Sequence, residues 1–406
     1  MRVENVEVYY SVKKQKGGAR WSFWGLLLIV RESKFKRICV FCECWESGGI
    51  ESFIYNVLSN ADLNGLEVDI VVSQLKDSIF SDRLKNIGVD FYELSGNQKR
   101  FIKNYKMLSE LLKERKYDTI HMNIFHAISY IYAIPALKNG VKRRIAHSHN
   151  TKIGKCRSYP LRKILHWFFR SWLYIIFTDF WACSDSAAKF MFPKKILSSN
   201  NWYLMPNGID TERFTFNSKD RERIRSQLNV ENKTLLINIG RLCEQKNQMF
   251  LLDVLKELME RGYDCVLLLI GEGEMLSDLK SRTENLFLTD RVVFYGTTIK
   301  VEDMLSAGDV FMFPSIFEGF GIAALEAQAA GLPVICSEHI PKETYITENI
   351  RTIPLKEGAS KWADAAVSAL KHPAQRGKAA GTVKIKGFDI KEAAAKIEAY
   401  YRNADF

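Results

Sequence analysis

The sequence predicts an α/β protein built from two doubly wound parallel sheets that face a central cleft. Two observations carry this. From Lys36 onward, short apolar runs rich in β-branched residues alternate with amphipathic helical stretches, the pattern of strands covered on both faces by crossover helices. The alternation breaks once, at the turn cluster Pro206-Asn207-Gly208-Ile209-Asp210, stays polar from Asn217 to Lys233, and then restarts. A chain of 406 residues has room for two or three domains of ~150 residues, each with its own core.

Taken in order, the first series of strands is Arg37 to Glu43, Glu67 to Val72, Val89 to Leu94, Asp118 to Asn123, Arg143 to His149, Phe180 to Cys183 and Trp202 to Met205. The second is Leu235 to Ile239, Cys265 to Ile270, Val292 to Tyr295, Val310 to Phe313 and Val334 to Cys336. A last helical pattern, Ile390 to Tyr401, follows Asp389, which is placed as its N-cap. The expected division is therefore an extension over 1–35, a first domain over 36–205, a linker over 206–233, a second domain over 234–386 and a terminal helix over 387–406.

Composition excludes disordered and collagen-like classes: hydrophobic residues are 47%, charged residues 26%, and there are 24 Gly and 9 Pro. Eight scattered Cys in apolar runs read as buried thiols in a reducing, cytoplasmic compartment. The net charge of +11 is local, because Thr119 to Thr178 contains ten Lys and Arg and no Asp or Glu. An anionic partner follows: phosphate, nucleic acid or a lipid surface. In the extension, the apolar run Trp21 to Val30 is too short to span a bilayer of roughly 30 Å as a helix. Without a small-residue cleavage site it is also not a signal peptide, which leaves an extension outside the fold or an interfacial anchor.

Ligands of open α/β sheets bind beyond the carboxyl ends of the strands, and the polar and glycine-rich segments fall there. Ser47-Gly48-Gly49 follows the first strand and opens a helix, where free N–H groups favour phosphate. A tight turn without a ligand would need the same glycines. Arg241 and Lys246, five apart beyond the first strand of the second domain, form a fork and a point charge suited to a diphosphate; a solvated basic pair is the alternative. In Pro314 to Ala327, Glu318 lies in a loop with Gly319, Phe320 and Gly321, and Glu326 lies inside an apolar helix. Burial of Glu326 would cost several kcal/mol unless donors meet it, and a ribose diol offers two. Glu318 could accept from sugar hydroxyls while the backbone N–H groups of Phe320 and Gly321 face phosphate.

Together, Gly-Gly-x-Glu, Gly-Arg-x4-Lys and Glu-x7-Glu closing on Ala329-Ala330-Gly331-Leu332-Pro333-Val334, with the Pro-Asn-Gly-Ile-Asp junction and the Gly271-Glu272-Gly273 turn, resemble the retaining glycosyltransferases of family 4. The likeness runs from about Lys36 to the C-terminus; residues 1–35 have no counterpart in it. Ala146-His147-Ser148-His149-Asn150 is similar to the strand-end His motif of the branch that builds bacterial capsular and exopolysaccharide units. The resemblance implies a GT-B fold with two Rossmann-like domains, the donor on the second, and a final helix crossing back to the first. It implies that Arg241 and Lys246 hold the diphosphate, Glu318 the donor sugar and Glu326 the ribose. It further places Gly49 against phosphate and acceptor, and makes His149 the active-site histidine.

Four of the seven His (His121, His126, His147 and His149) cluster in sequence, and His147 and His149 share one strand face. Zinc is disfavoured because no acidic ligand is nearby, and Cys39 and Cys42 lack a second pair. No Asp-x-Asp occurs, so neither a metal nor another cofactor is expected. Lys152 to Phe177 interleaves basic and aromatic residues, which fits a membrane surface or the core face of a helix better than nucleic acid.

The leading expectation is transfer of a sugar from a nucleotide diphosphate sugar to a saccharide or polyprenyl-linked acceptor, at the inner face of the plasma membrane. The rivals are a sugar-nucleotide epimerase of the same fold and a non-catalytic nucleotide-binding protein. Gly271-Glu272-Gly273-Glu274-Met275-Leu276, the nearest approach to a dinucleotide fingerprint, lacks its third Gly.

Overall fold

The computed structural model describes residues 35–46, 48–76, 80–153, 159–199, 201–371 and 375–403. Residues 1–34, with the apolar run Trp21 to Val30, and Ser47, Lys155 and Arg157 lie outside them.

The first sheet contains β1 (Lys36–Trp45), β2 (Leu66–Leu75), β3 (Asp90–Glu93), β4 (Thr119–Ile124), β5 (Arg143–Ser148), β6 (Asp179–Ala182) and β7 (Tyr203–Leu204). Its spatial order is β3-β2-β1-β4-β5-β6-β7, and every pairing is parallel. The second contains β8 (Thr234–Ile239), β9 (Cys265–Ile270), β10 (Val292–Gly296), β11 (Val310–Phe313), β12 (Val334–Cys336) and β13 (Ile350–Thr352), ordered β10-β9-β8-β11-β12-β13 and again parallel throughout. Both sheets are doubly wound, as expected. The strand not foreseen is β13, an edge strand with no buried residue and hence no apolar run to betray it.

Burial explains the continuous apolar runs. All six residues of β9 are buried, as are Ile38 to Cys42 of β1, because helices cover both faces of each sheet. On one face of the first sheet, Phe53 and Val57 of the helix Gly49–Asn60 pack with Ile397 and Tyr401 of the final helix Ile390–Arg402. On the other, Leu108 and Leu112 of Phe101–Arg115 pack with Leu173 of Tyr159–Ile176. The final helix thus lies on the first sheet although it follows the second in sequence. Its N-cap is Asp389, which accepts from the Lys391 N–H at 2.9 Å.

Two segments differ from their expectation. Within 206–233, read as a linker, Ser218–Gln227 is a helix. Its arginines explain its polarity: Arg221 and Arg225 reach Asp309 at 2.6 and 3.1 Å, so ion pairs rather than an apolar stripe dock it on the second domain. Tyr159–Ile176 is two-sided. His166 and Leu173 face the protein, whereas Ile164, Phe168, Trp172 and Ile175 are 51 to 67% exposed. The core-face reading therefore fails for most of its aromatic residues.

Candidate active site

Chain order reverses between β1 and β4 in the first sheet and between β8 and β11 in the second, and ligand crevices form at such switch points. Gly49 and Arg241 follow β1 and β8, His149 follows β5 beside β4, and Glu318 follows β11. Topology therefore gathers these motif residues at the carboxyl edges of the two sheets.

The turn after β8 and the loop after β11 are laced together. The Gln245 side chain donates to the Phe317 carbonyl at 2.9 Å, and the Ile316 N–H donates to the Gln245 carbonyl at 2.8 Å. Asn247, in left-handed backbone with φ of 56°, donates from its side chain to the Pro314 carbonyl at 3.2 Å. This scaffold brings the Lys246 ammonium to 2.6 Å from Glu318 Oε1, with Glu318 6% exposed. The two residues expected at the diphosphate and at the sugar are thus a preformed ion pair.

Arg241 is exposed and points across the cleft, where its guanidinium lies 3.4 Å from Glu46 Oε2. Glu46 and Lys76 also form an ion pair. Beyond Glu46 the helix Gly49–Asn60 begins; a Cβ at Gly49 would meet nothing within 4 Å. Packing therefore does not demand glycine at 49, whereas at Gly48 a Cβ would overlap the Glu51 carboxylate. Below it Glu51 is buried, and burial raises its carboxyl to about 7.

The loop Pro314 to Gly321 also binds the first domain. Thr151 Oγ1 donates to the Glu318 carbonyl at 2.8 Å, and Ser184 Oγ donates to the Gly319 carbonyl at 2.7 Å. Gly319 lies so close to the His149 carbonyl that a Cβ there would overlap it. Gly321, with φ of +94°, occupies the left-handed region that glycine enters at no steric cost, and it starts the helix Ile322–Ala329. Phe320 is buried, its ring 5.8 Å from that of Phe388.

His149 Nε2 donates to Asn123 Oδ1 at 2.9 Å, since an amide oxygen only accepts. Burial, then the neighbouring His121, lowers His149 to about 3, so the ring is neutral at physiological pH. Behind it, His147 and His121 share a hydrogen bond of 3.0 Å between Nδ1 and Nε2, and His121 Nδ1 lies 2.6 Å from Tyr401 Oη of the final helix. Burial also depresses His147 and His121. The two strand-face histidines are therefore held in an aromatic and hydrogen-bonded cluster. Among the described residues no group of three or more His, Cys, Asp or Glu is placed to hold a metal ion.

Glu326 stands apart. It is half-buried rather than enclosed by Ala and Leu, and its carboxylate accepts no hydrogen bond from the described residues. Burial raises it to about 8, with Arg213 opposing and Glu302 adding to the shift. Arg213 itself pairs with Glu302 at 2.6 Å. The Gly271-Glu272-Gly273 turn is structural: a Cβ at either glycine would overlap the backbone of 240–242, and the Leu242 N–H donates to the Glu272 carbonyl at 2.9 Å.

Sequence reasoning passed over Glu46, Asn123, Thr151 and Ser184. Thr151 stands two residues beyond His149, but nothing in the sequence marks Ser184, whose role arises when its hydroxyl meets Gly319 across 135 residues.

Two doubly wound parallel sheets with these switch-point residues facing each other form the GT-B architecture. Solved structures agree: HepE of Anabaena, crystallised with UDP and glucose, superposes with a TM-score of 0.72 at 17% identity, over 90% of this chain and 99% of that one. The Bacillus subtilis protein EpsF, named as a glycosyltransferase, is 28% identical over 82% of this chain and 87% of its own. An Escherichia coli enzyme named UDP-Gal:alpha-D-GlcNAc-diphosphoundecaprenol alpha-1,3-galactosyltransferase is 35% identical over 33% of this chain and 36% of its own. The chain belongs to the glycosyltransferases: residues 47–213 match the family described as Glycosyltransferase Family 4, and residues 220–382 match Glycosyl transferases group 1.

Proposed function

We propose that this glycosyltransferase moves a sugar from a nucleoside diphosphate sugar to a hydroxyl acceptor with retention at the anomeric carbon. The observation that carries the reading is the Lys246–Glu318 pair, 2.6 Å apart at the switch point of the second sheet, with Arg241 in the same turn after β8. As the glycosidic bond breaks, charge grows on the β-phosphate. Arg241, Lys246 and the N-terminus of the helix Gly49–Asn60 stabilise it there. The departing phosphate oxygen takes the acceptor proton, so the reaction needs no side-chain nucleophile, and Arg241 and Lys246 take the place of a divalent cation on the diphosphate. Glu318 faces the donor sugar, Glu326 the ribose, and neutral His149 supplies a hydrogen-bond acceptor for a sugar hydroxyl.

The acceptor we infer is a saccharide or a polyprenyl-linked saccharide, in exopolysaccharide or capsular synthesis on the cytoplasmic face of the membrane. Support comes from the likeness to EpsF and to the Escherichia coli enzyme, and from the exposed stripe Ile164, Phe168, Trp172 and Ile175 beside exposed Arg162 and Lys163. Such a face suits an anionic lipid surface. No helix among the described residues is long and apolar enough to cross a membrane. A panel of sugar nucleotides, assayed for nucleotide release with and without a lipid-linked saccharide, tests the reading. Acceptor-dependent release from one donor, with the anomeric configuration retained, is expected; inversion, or no release from any donor, overturns it.

A further inference from the structure

Away from the cleft, a cavity of about 440 Å³ opens between edge strand β7 and the final helix. Tyr203, Leu204 and Tyr400 form much of its wall, Trp181 and Met205 lie buried behind them, and the lining also includes Pro206 and Gly387. The last two lie in the segments where the chain leaves the first domain and returns to it. These segments are themselves joined, because the Ile209 N–H donates to the Phe388 carbonyl at 3.0 Å and the Ile390 N–H to the Ile209 carbonyl at 2.8 Å. None of the residues placed in the donor site lines the cavity.

Its chemistry is one-sided. The volume falls within the range of small-ligand pockets, about 300–1,000 Å³, and the aromatic and thioether walls favour an apolar body. Two cations and no carboxylate line it. Arg143 is engaged: it donates to the Tyr400 carbonyl at 2.7 Å, stacks 4.3 Å from the Tyr400 ring, and lies 3.8 Å from Asp179. The ammonium of Lys396, exposed on the final helix, has no ion-pair or hydrogen-bond partner among the described residues.

We propose that this cavity binds an amphiphile with an anionic head, its apolar chain packed against Tyr203, Leu204 and Tyr400 and its head at Lys396. A ligand there touches both interdomain crossings. It is also one ring removed from the active-site cluster, since Trp181 lies 5.7 Å from His147 and His147 lies 4.0 Å from His149, centroid to centroid. The inference does not depend on the donor or acceptor proposed above.

Calorimetric titration of the full chain with dodecyl phosphate, below its micelle concentration, tests it. Saturable one-to-one binding is expected, weaker with dodecyltrimethylammonium and absent with inorganic phosphate. Lys396→Gln should weaken dodecyl phosphate up to about fivefold, the effect of one solvent-screened charge contact. It should not weaken the cationic amphiphile, whose head it relieves of a like charge. Ala399→Trp, which fills the cavity from an exposed position of the final helix, should abolish binding at an unchanged melting temperature. If that variant melts early, Lys396→Gln decides. Phe168→Ser with Trp172→Ser should bind as wild type, separating the cavity from the exposed stripe. Equal binding of both head charges, insensitivity to Lys396→Gln and to a folded Ala399→Trp, or loss only with the stripe variants overturns the proposal.

Discussion

Lys246 donates to Glu318 over 2.6 Å, with the two side chains 18 and 8% exposed. Neither charge sits in open solvent, so each orients the other, and a cation already fixed in place stabilises developing charge without reorganisation. Lys246→Ala should lose roughly 10² to 10³ in turnover, as when one preorganised stabiliser is removed. It also strands a buried carboxylate, which costs stability. The double variant Lys246→Met with Glu318→Gln should recover melting temperature but not activity. Near-wild-type turnover in either variant would remove Lys246 from the phosphate site.

Glu318 and Glu326 should fail differently. Glu318→Gln keeps size but loses the charge beside the reacting sugar, so kcat should fall while nucleotide affinity does not weaken, the Lys246 ammonium being left to the diphosphate. Glu326→Gln exchanges one acceptor oxygen for a donor group, and the lost ribose bond is worth roughly 1.5 to 3 kcal/mol. Calorimetry with the nucleoside diphosphate of the active donor measures both. Weaker nucleotide binding by Glu318→Gln than by Glu326→Gln would reverse the assignment.

The environment of Glu326 sets a pH dependence. Burial raises its carboxyl to about 8 in the free protein, whereas a ribose diol donates to the ionised form. Binding should therefore release a proton below that value. Nucleotide affinity should climb with pH, by at most about tenfold per unit, and level off above about 8. The difference between wild type and Glu326→Gln isolates this from the titration of the nucleotide itself. Identical slopes in the two proteins would show that Glu326 does not meet the ribose.

Activity should persist in excess EDTA, because the chain has no Asp-x-Asp and Arg241 and Lys246 supply the positive charge. Complete loss that magnesium or manganese restores would place a divalent ion in the reaction.

Vesicles containing anionic lipid should bind the protein and release it as salt rises, each surface Lys or Arg contributing about 1 kcal/mol. Phe168→Ser with Trp172→Ser, or Arg162→Gln with Lys163→Gln, should weaken binding. Unchanged affinity in both pairs would assign the exposed stripe another partner.

The sheets and the motif positions were legible in the chain. A strand buried on both faces has to be apolar throughout, and most of the twelve expected strands are such runs, the exposed edges β3 and β7 excepted; β13, also an exposed edge, carries no such signature. Gly49, Arg241, Glu318 and His149 could be placed at strand ends because each follows an apolar run in sequence. What the tertiary structure decided was which groups meet. The ion pair between Lys246 and Glu318 spans 72 residues, and the contact of Gly319 with His149 joins the two domains; no local pattern encodes either. Glu326 looked enclosed because its helical neighbours are Ala and Leu, yet the side of a helix that meets protein depends on what docks there, and at Glu326 the nearby charges are Arg213 and Glu302. The same holds for Tyr159–Ile176. Its apolar residues surround the helix, so periodicity could not say which face the sheet would cover, and only packing on the first sheet left Phe168 and Trp172 to the solvent.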